Sequence, residues 1–364
     1  MQMLTNSIDL TIILLTYNRN YVINKQVEYI LKFDFTLIVL DGSNCPNLYL
    51  TELSKTETSL TYIWDKFGFG ARFKSAVNFI NSSYVLTFTD DDFICIDSLS
   101  TVVEKMKADK VEFAFGNTLL AYPLRKTWGL NKWSPPFVSQ TNRSISDSNA
   151  LRRTEMHFEN YVTTYYYSIT SKENWISIYG NIQLEPDHFS SPYIHELYIE
   201  YMAAATGSAK IYPEVTAIRI KDHIPILVNA HLDYRNNLKV CDWLIDPKFE
   251  AEKQQLIQSL NEIMLKKFPE LTINPITENI LKCLELYAKR ESQWSQGNLD
   301  IFASLFKEIL NRFSLFIKIV LSNSEIIETF LLKHKAINLI ESNKYSLSAR
   351  DLDSFLNYLS ERNK

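Results

Sequence analysis

At 364 residues, 46% of them apolar and 22% charged, the chain is long and apolar enough for a sizeable packed core, which excludes intrinsic disorder. Its formal charge of −4 is spread along the chain with no basic stripe, so no nucleic-acid partner is expected. Cys45, Cys95, Cys241 and Cys283 stand far apart, with no CxxC pair and no histidine at zinc spacing, which suits a reducing, cytoplasmic setting.

The opening MQMLTNSIDLTIILLTYN lacks a basic n-region, and its apolar run has the length of one strand, so no signal peptide is expected. From Asp9 to Phe115 strand-length apolar runs alternate with amphipathic stretches, the pattern of parallel βαβ units. The runs predict strands over Leu10 to Leu15, Thr36 to Leu40, Thr61 to Trp64, Tyr84 to Phe88 and Val111 to Phe115. Tyr21 to Leu31 and Ala71 to Ile80 carry helical spacing between them. Near-continuous apolar strands suit a sheet covered on both faces, whose ligands bind at the carboxyl ends of the strands.

Residues 117–160 lose this regularity and form a polar, aromatic segment with Trp128, Trp133, Pro135, Pro136 and Phe137. A connection this long points to function or mobility, and its rings suit either an acceptor or the core. Tyr161 to Ile169 then predicts a strand, SKENW opens a helix, and Ser191-Pro192 caps a helix that stops at Gly207. Two short strands are predicted at Ala209 to Tyr212 and Thr216 to Ile220. Beyond Pro247 the pattern is all helical, with Leu256, Leu260, Ile263 and Met264 on one face and breaks at Pro269 and Pro275. Helical stretches continue over Ile276 to Arg290, Leu299 to Leu321, Glu325 to Ile340 and Ala349 to Leu359. The face of Phe302, Leu305, Phe306, Ile309, Leu310 and Phe313 suits packing or self-association into a homodimer. No run reaches the ~20 apolar residues of a membrane helix, which leaves peripheral membrane contact.

Thr89-Asp90-Asp91-Asp92 follows directly on the apolar strand YVLTF. Three adjacent carboxylates repel one another unless cations or hydrogen-bond donors neutralise them. Mn²⁺ or Mg²⁺ is a natural partner, since such an ion takes one or two carboxylates and completes its shell with phosphate oxygens; a solvated acidic turn is the plainer alternative. The first strand ends in TYNR and the second in Asp41-Gly42-Ser43, a carboxylate edge or a simple turn. Neither GxGxxG nor GxxxxGK[ST] is present, so a dinucleotide oxidoreductase and a P-loop enzyme are unsupported.

In this order, the strand ending in TYNR, the strand ending in DGS, Gly68-Phe69-Gly70-Ala71-Arg72 and the strand ending in TDDDF resemble the inverting family 2 glycosyltransferases of the GT-A fold. YIHELYIEYMAAATGSAKIYPE is similar to that family's acidic-pair helix, glycine and following strand. The resemblance implies an α/β, Rossmann-like GT-A domain with a mostly parallel sheet over residues 1–246, with 117–160 as an acceptor-side insertion. An all-α C-terminal domain over 247–364 would follow it.

The same resemblance implies roles. Thr16, Tyr17 and Arg19 would line the nucleotide end of a donor, Asp41 would accept from the base, and Arg72 would sit near base or pyrophosphate. Asp90 would face the ribose and metal region, Asp91 would also contact the donor, and Asp92 would hold Mn²⁺ or Mg²⁺ directly, with His223 as a further metal-binding or diphosphate-contacting histidine. Glu196 of the His195-Glu196 pair would be the general base where the family has Glu-Asp, with Asp187 as its competitor. The implied activity is hexosyl transfer from a nucleotide diphosphate sugar, in the uridine subset that Asp41 and Arg72 match. The acceptor would be a polysaccharide precursor, a lipid-linked sugar or a peptide. A non-catalytic nucleotide-sugar-binding or regulatory protein is the alternative. A sugar nucleotidyltransferase would carry a Gly-rich, Arg-containing first loop, which TYNRNY does not supply.

Overall fold

The structure is a computed structural model that describes residues 8–65, 68–121, 123–124, 132–133, 137–139, 144–180, 182, 193–220, 238–291 and 346–362. Strands β1 (Leu10–Thr16), β2 (Thr36–Asp41), β3 (Leu60–Trp64) and β4 (Tyr84–Thr89) lie parallel, joined through helices α1 (Asn20–Ile30), α2 (Leu48–Thr56) and α3 (Phe69–Ala76). The two-residue β5 (Phe93–Ile94) leads into α4 (Ile96–Asp109) and then β6 (Phe113–Ala121). Short strands β7 (Pro123–Leu124), β8 (Lys132–Trp133) and β9 (Phe137–Ser139) follow; β7 pairs with β8, and β9 pairs with β6. After α5 (Ala150–Glu159) come β10 (Ile169–Ser171), α6 (Lys172–Tyr179), α7 (Tyr193–Thr206) and β11 (Ala209–Ile220). The main sheet runs β3-β2-β1-β4-β10-β6-β11-β5, with β10 antiparallel to both neighbours and β5 antiparallel to β11.

Strand alternation sends β1 side chains to two cores. Ile13 joins Ile38, Val85 and Phe113 under α5, α6 and α7, while Ile12 and Leu14 join Val39 and Leu86 under α1 and α4. Helix starts are capped where the sequence offers a side chain: Asn47, Asn149 and Ser171 accept from Leu50, Arg152 and Asn174 amides at the heads of α2, α5 and α6. Arg153 closes the other end of α7 by donating to the carbonyls of Ala204 and Ala205.

Two expectations are corrected. Residues 161–168 do not form a strand; Tyr165–Tyr167 make a 3-10 turn, and only Ile169 enters β10. The two strands expected between Ala209 and Ile220 are one, β11, with register shifts against β6 around Val215. Gly116 of β6 accommodates that bulge, since a side chain there would collide with the Glu214 carbonyl and Thr216.

Helix α8 (Val240–Ile245) is followed, beyond residue 247, by α9 (Glu250–Lys267), α10 (residues 273–291) and α11 (Ala349–Arg362). Pro275 lies inside the first turn of α10 instead of breaking a helix, where its missing N–H costs nothing. Leu256, Leu260, Met264, Ile280 and Leu284 belong to the same hydrophobic cluster as Phe158, Leu197 and Tyr201. Helix α11 packs elsewhere, with Phe355 and Tyr358 against Phe93. None of the four cysteines forms a disulfide. Among the described residues no helix is long and apolar enough to cross a membrane. Trp128, Asp187, His223 and the stretches Leu299 to Leu321 and Glu325 to Ile340 lie outside the described residues.

Candidate active site

Parallel register alone assembles one rim of the site. Thr16 pairs with Asp41 across β1 and β2, Asp41 pairs with Trp64 across β2 and β3, and Leu15 pairs with Thr89 across β1 and β4. The next residue of β4's exit, Asp90, therefore arrives beside Thr16. The Thr16 hydroxyl donates to Asp90 Oδ2 at 2.6 Å, and Arg19 Nη1 donates to Asp90 Oδ1 at 2.9 Å. Arg19 Nη1 also lies 3.1 Å from Asp91 Oδ2.

Asn18 takes a left-handed conformation, φ 54°, which asparagine tolerates better than most side chains. That turn lets its amide donate to Ser43 Oγ at 2.7 Å, while its side chain accepts from the Asn44 amide at 3.1 Å. The first and second crevice loops are thereby joined. Asp41 is fully buried; its oxygens accept from the Ser43 amide at 2.8 Å and the Tyr62 hydroxyl at 2.6 Å, the turn arrangement its sequence also allows. Arg72 lies over the same loop, so close to Gly42 that a side chain there would meet the guanidinium at 2.8 Å. Tyr17 is exposed on the rim.

The aspartates differ sharply in surroundings. Asp90 and Asp92 are 2% and 5% exposed, whereas the Asp91 side chain is 45% exposed. Burial pushes Asp90 up to about 6 against Arg19 and Thr16, which hold it down. Burial likewise pushes Asp92 up to about 6 against the Arg219 charge. For Asp91 burial is outweighed by the Thr89 side chain and Arg19, which keep it below the usual carboxylate range. Asp92 Oδ2 accepts from Arg219 Nε at 3.1 Å and Oδ1 from the Ile220 amide at 3.1 Å, and the Asp92 carbonyl accepts from the buried Gln26 side chain.

Glu196 and Glu200 share a face of α7, as helical spacing requires, but they do different things. Glu200 is fully buried and accepts from the amides of Thr164, Tyr165 and Tyr166 at 3.0, 3.2 and 2.9 Å, with His157 Nε2 at 2.7 Å. It holds the 3-10 turn in shape. Glu196 is half-buried; its Oε1 accepts from the Tyr161 and Thr163 hydroxyls at 2.6 and 2.7 Å, and Oε2 has no partner among the described residues. Burial raises the Glu196 carboxyl above its usual range against those two hydroxyls, Glu200 adds to the rise, and the Arg219 charge opposes it. Thr163, Thr164, Tyr167, Asp92 and Arg219 line a single cavity, which brings Asp92 and the surroundings of Glu196 together.

Residues 11–168 match the model of glycosyl transferase family 2. They form a family 2 glycosyltransferase domain. The mixed sheet with helices on both faces is its GT-A-type fold. No curated protein matches the chain. Among solved structures, S. aureus TarS 1-349 in complex with UDP-GlcNAc is similar at 14% identity over 79% of this chain and 92% of that one, with a TM-score of 0.43. S. aureus TarS is similar at 15% identity over 78% of this chain and 55% of that one, with a TM-score of 0.42.

Sequence reasoning did not single out Arg219, Thr163 and Tyr167, which line the cavity, or Tyr161, whose hydroxyl donates to Glu196. Arg219 had a signal. It alternates with the apolar Ile218 and Ile220 at the end of a strand, so it must face the opposite side from them. Among the described residues no three His, Cys, Asp or Glu side chains converge as a metal site. The carboxylates still suit a hard divalent ion, because such an ion needs only one or two of them when a diphosphate supplies the remaining oxygens.

Proposed function

We propose that the chain transfers a sugar, with inversion, from a UDP-sugar to a saccharide, lipid-linked or peptide acceptor in a reaction that uses Mn²⁺ or Mg²⁺. The observation that carries this is the cavity shared by Asp92, Arg219 and Thr163, which joins the last aspartate of the cluster after β4 to the threonine whose hydroxyl donates to the half-buried Glu196. Thr16, Tyr17, Arg19, Asp41 and Arg72 would hold the nucleotide, and Asp90 and Asp91 the ribose and pyrophosphate region. Asp92, with His223, would hold the cation, which when bound neutralises charge on the leaving diphosphate.

Glu196 is the base in this scheme. Its Oε1 is oriented by Tyr161 and Thr163, which leaves Oε2 to take the acceptor's proton. As that proton leaves, the acceptor atom bonds to the anomeric carbon and the bond from that carbon to the diphosphate oxygen breaks. A carboxylate raised above its ordinary range is a stronger base than one in water. Donor hydrolysis and transfer should be compared for wild type, Asp92→Ala and Glu196→Gln. Asp92→Ala is expected to lose metal-dependent turnover, and Glu196→Gln to lower kcat by about 100- to 10,000-fold with donor affinity retained. Full transfer by a folded Asp92→Ala or Glu196→Gln protein would remove that residue from the scheme.

A further inference from the structure

Glu200 carries a saturated carboxylate that no step of the transfer uses. It is fully buried on α7; Oε1 accepts from the Thr164 and Tyr166 amides at 3.0 and 2.9 Å, and Oε2 accepts from the Tyr165 amide at 3.2 Å and lies 2.7 Å from His157 Nε2. Four partners fill the sites a carboxylate offers, so no lone pair remains for a substrate, a cation or a proton. His157 is itself held by the rings of Phe158, Tyr161 and Tyr165, whose centres lie 5.3, 5.3 and 5.0 Å from its own. Taking a carboxylate out of water is costly, and the three successive amides that offset the cost all belong to one turn.

That turn begins where Glu196 is held. Thr163, the residue before the first captured amide, donates its hydroxyl to Glu196 Oε1 at 2.7 Å, and Tyr161 donates to the same oxygen at 2.6 Å. Thr164 ties the turn on both sides: its hydroxyl donates to the Val162 carbonyl at 2.8 Å, and its carbonyl accepts from the Tyr167 amide at 3.1 Å. Thr163 therefore cannot shift unless Thr164 does, and Thr164 is fixed by Glu200. Glu196 and Glu200 stand one helical turn apart on α7, so one rigid element carries both the carboxylate that shapes the turn and the one that receives its hydroxyl. Resting on the reading of Glu196 as the base, we propose that Glu200 is the positioning residue of that base. It places the Thr163 hydroxyl on Glu196 Oε1 and so fixes Oε2 as the oxygen that receives the acceptor's proton. This role depends on the length of the side chain more than on its charge, because an aspartate at this position stops one methylene short of the amides.

The test is donor hydrolysis, in which water is the acceptor, by the full chain with Mn²⁺ and UDP-glucose, UDP-galactose or UDP-N-acetylglucosamine. Glu200→Asp, which keeps the charge and loses the reach, should lower kcat by about 100-fold with the donor KM unchanged. Glu200→Gln keeps the length and the two amide bonds on Oε1, and should stay within about 10-fold of wild type. Thr163→Val should lower kcat by about 10-fold, and adding it to Glu200→Asp should cost nothing further, since the hydroxyl is already displaced. Thermal melts confirm that each variant is folded, and Thr163→Val alone decides the matter if Glu200→Asp is not. Full kcat in Thr163→Val, a Glu200→Asp protein as active as wild type, or kcat and KM failing together would overturn the proposal. Glu196→Gln, measured alongside, keeps the two readings apart: its inactivity beside an unimpaired Glu200→Asp removes only the role of Glu200. Full hydrolysis by Glu196→Gln, or none by wild type with any of the three donors, overturns the scheme on which the proposal rests and the proposal with it.

Discussion

Asp90 accepts hydrogen bonds from Thr16 and Arg19, yet its burial outweighs both and carries it from 3.8 up to about 6. Between those values the folded chain binds the proton more tightly than the unfolded chain, so ionisation costs stability as pH rises through the window. Asp90→Asn keeps an acceptor for Arg19 and a polar partner for Thr16. It is therefore expected to exceed wild type in stability at about pH 8 by on the order of 2 kcal/mol, with the gain gone by about pH 4. Urea midpoints at the two pH values measure this, and a gain that grew on acidification would contradict it. Keeping the buried Asp90 and Asp92 carboxylates at a cost to the fold marks this edge as a candidate site. Their placement was legible in the sequence because short parallel strands deliver their last residues to one edge, as Thr16, Asp41 and Asp90 demonstrate. Arg219 was hidden because its partner is 127 positions away and the register comes from a two-residue strand.

At the scale of elements, the parallel half of the sheet agreed with its apolar runs to within a residue or two, since β1, β2 and β4 are buried along nearly their whole length and composition alone marks them. The segment from Tyr161 to Ile169 did not. Its tyrosines and threonines favour extended chain, but a carboxylate more than thirty positions later captures the amides of Thr164, Tyr165 and Tyr166 and bends them into a turn. The two strands expected at Ala209 to Tyr212 and Thr216 to Ile220 are one bulged strand, whose continuity depends on the absence of a side chain at Gly116. Helix α4 has no capping side chain of its own; Asp351 of α11 accepts from the Asp97 and Ser98 amides at 3.2 and 3.1 Å and from the Ser98 hydroxyl at 3.0 Å. Asp351→Ala should cost about 1–2 kcal/mol in urea denaturation, while Asp351→Asn, which can still accept, should stay close to wild type. Equal losses in the two variants would show that the cap contributes nothing.

Among the described residues the two larger cores flank the sheet, and the one under α7 continues into α9 and α10. Leu260, 2% exposed, touches the same small apolar cavity as Phe158, Leu197 and Tyr201. Leu260→Ala should cost about 2–5 kcal/mol and shift a single unfolding transition, seen alike by near- and far-ultraviolet circular dichroism. Two separated transitions would instead make the helices after residue 247 an independent unit.

The cap on α4 also bears on biosynthesis. Its donors lie at Asp97 and Ser98 and its acceptor 253 positions later. A ribosome that has released the entire parallel sheet has therefore not yet delivered the group that closes the helix beside the aspartates. Order at that turn therefore waits for chain made long after the strands around it can pair.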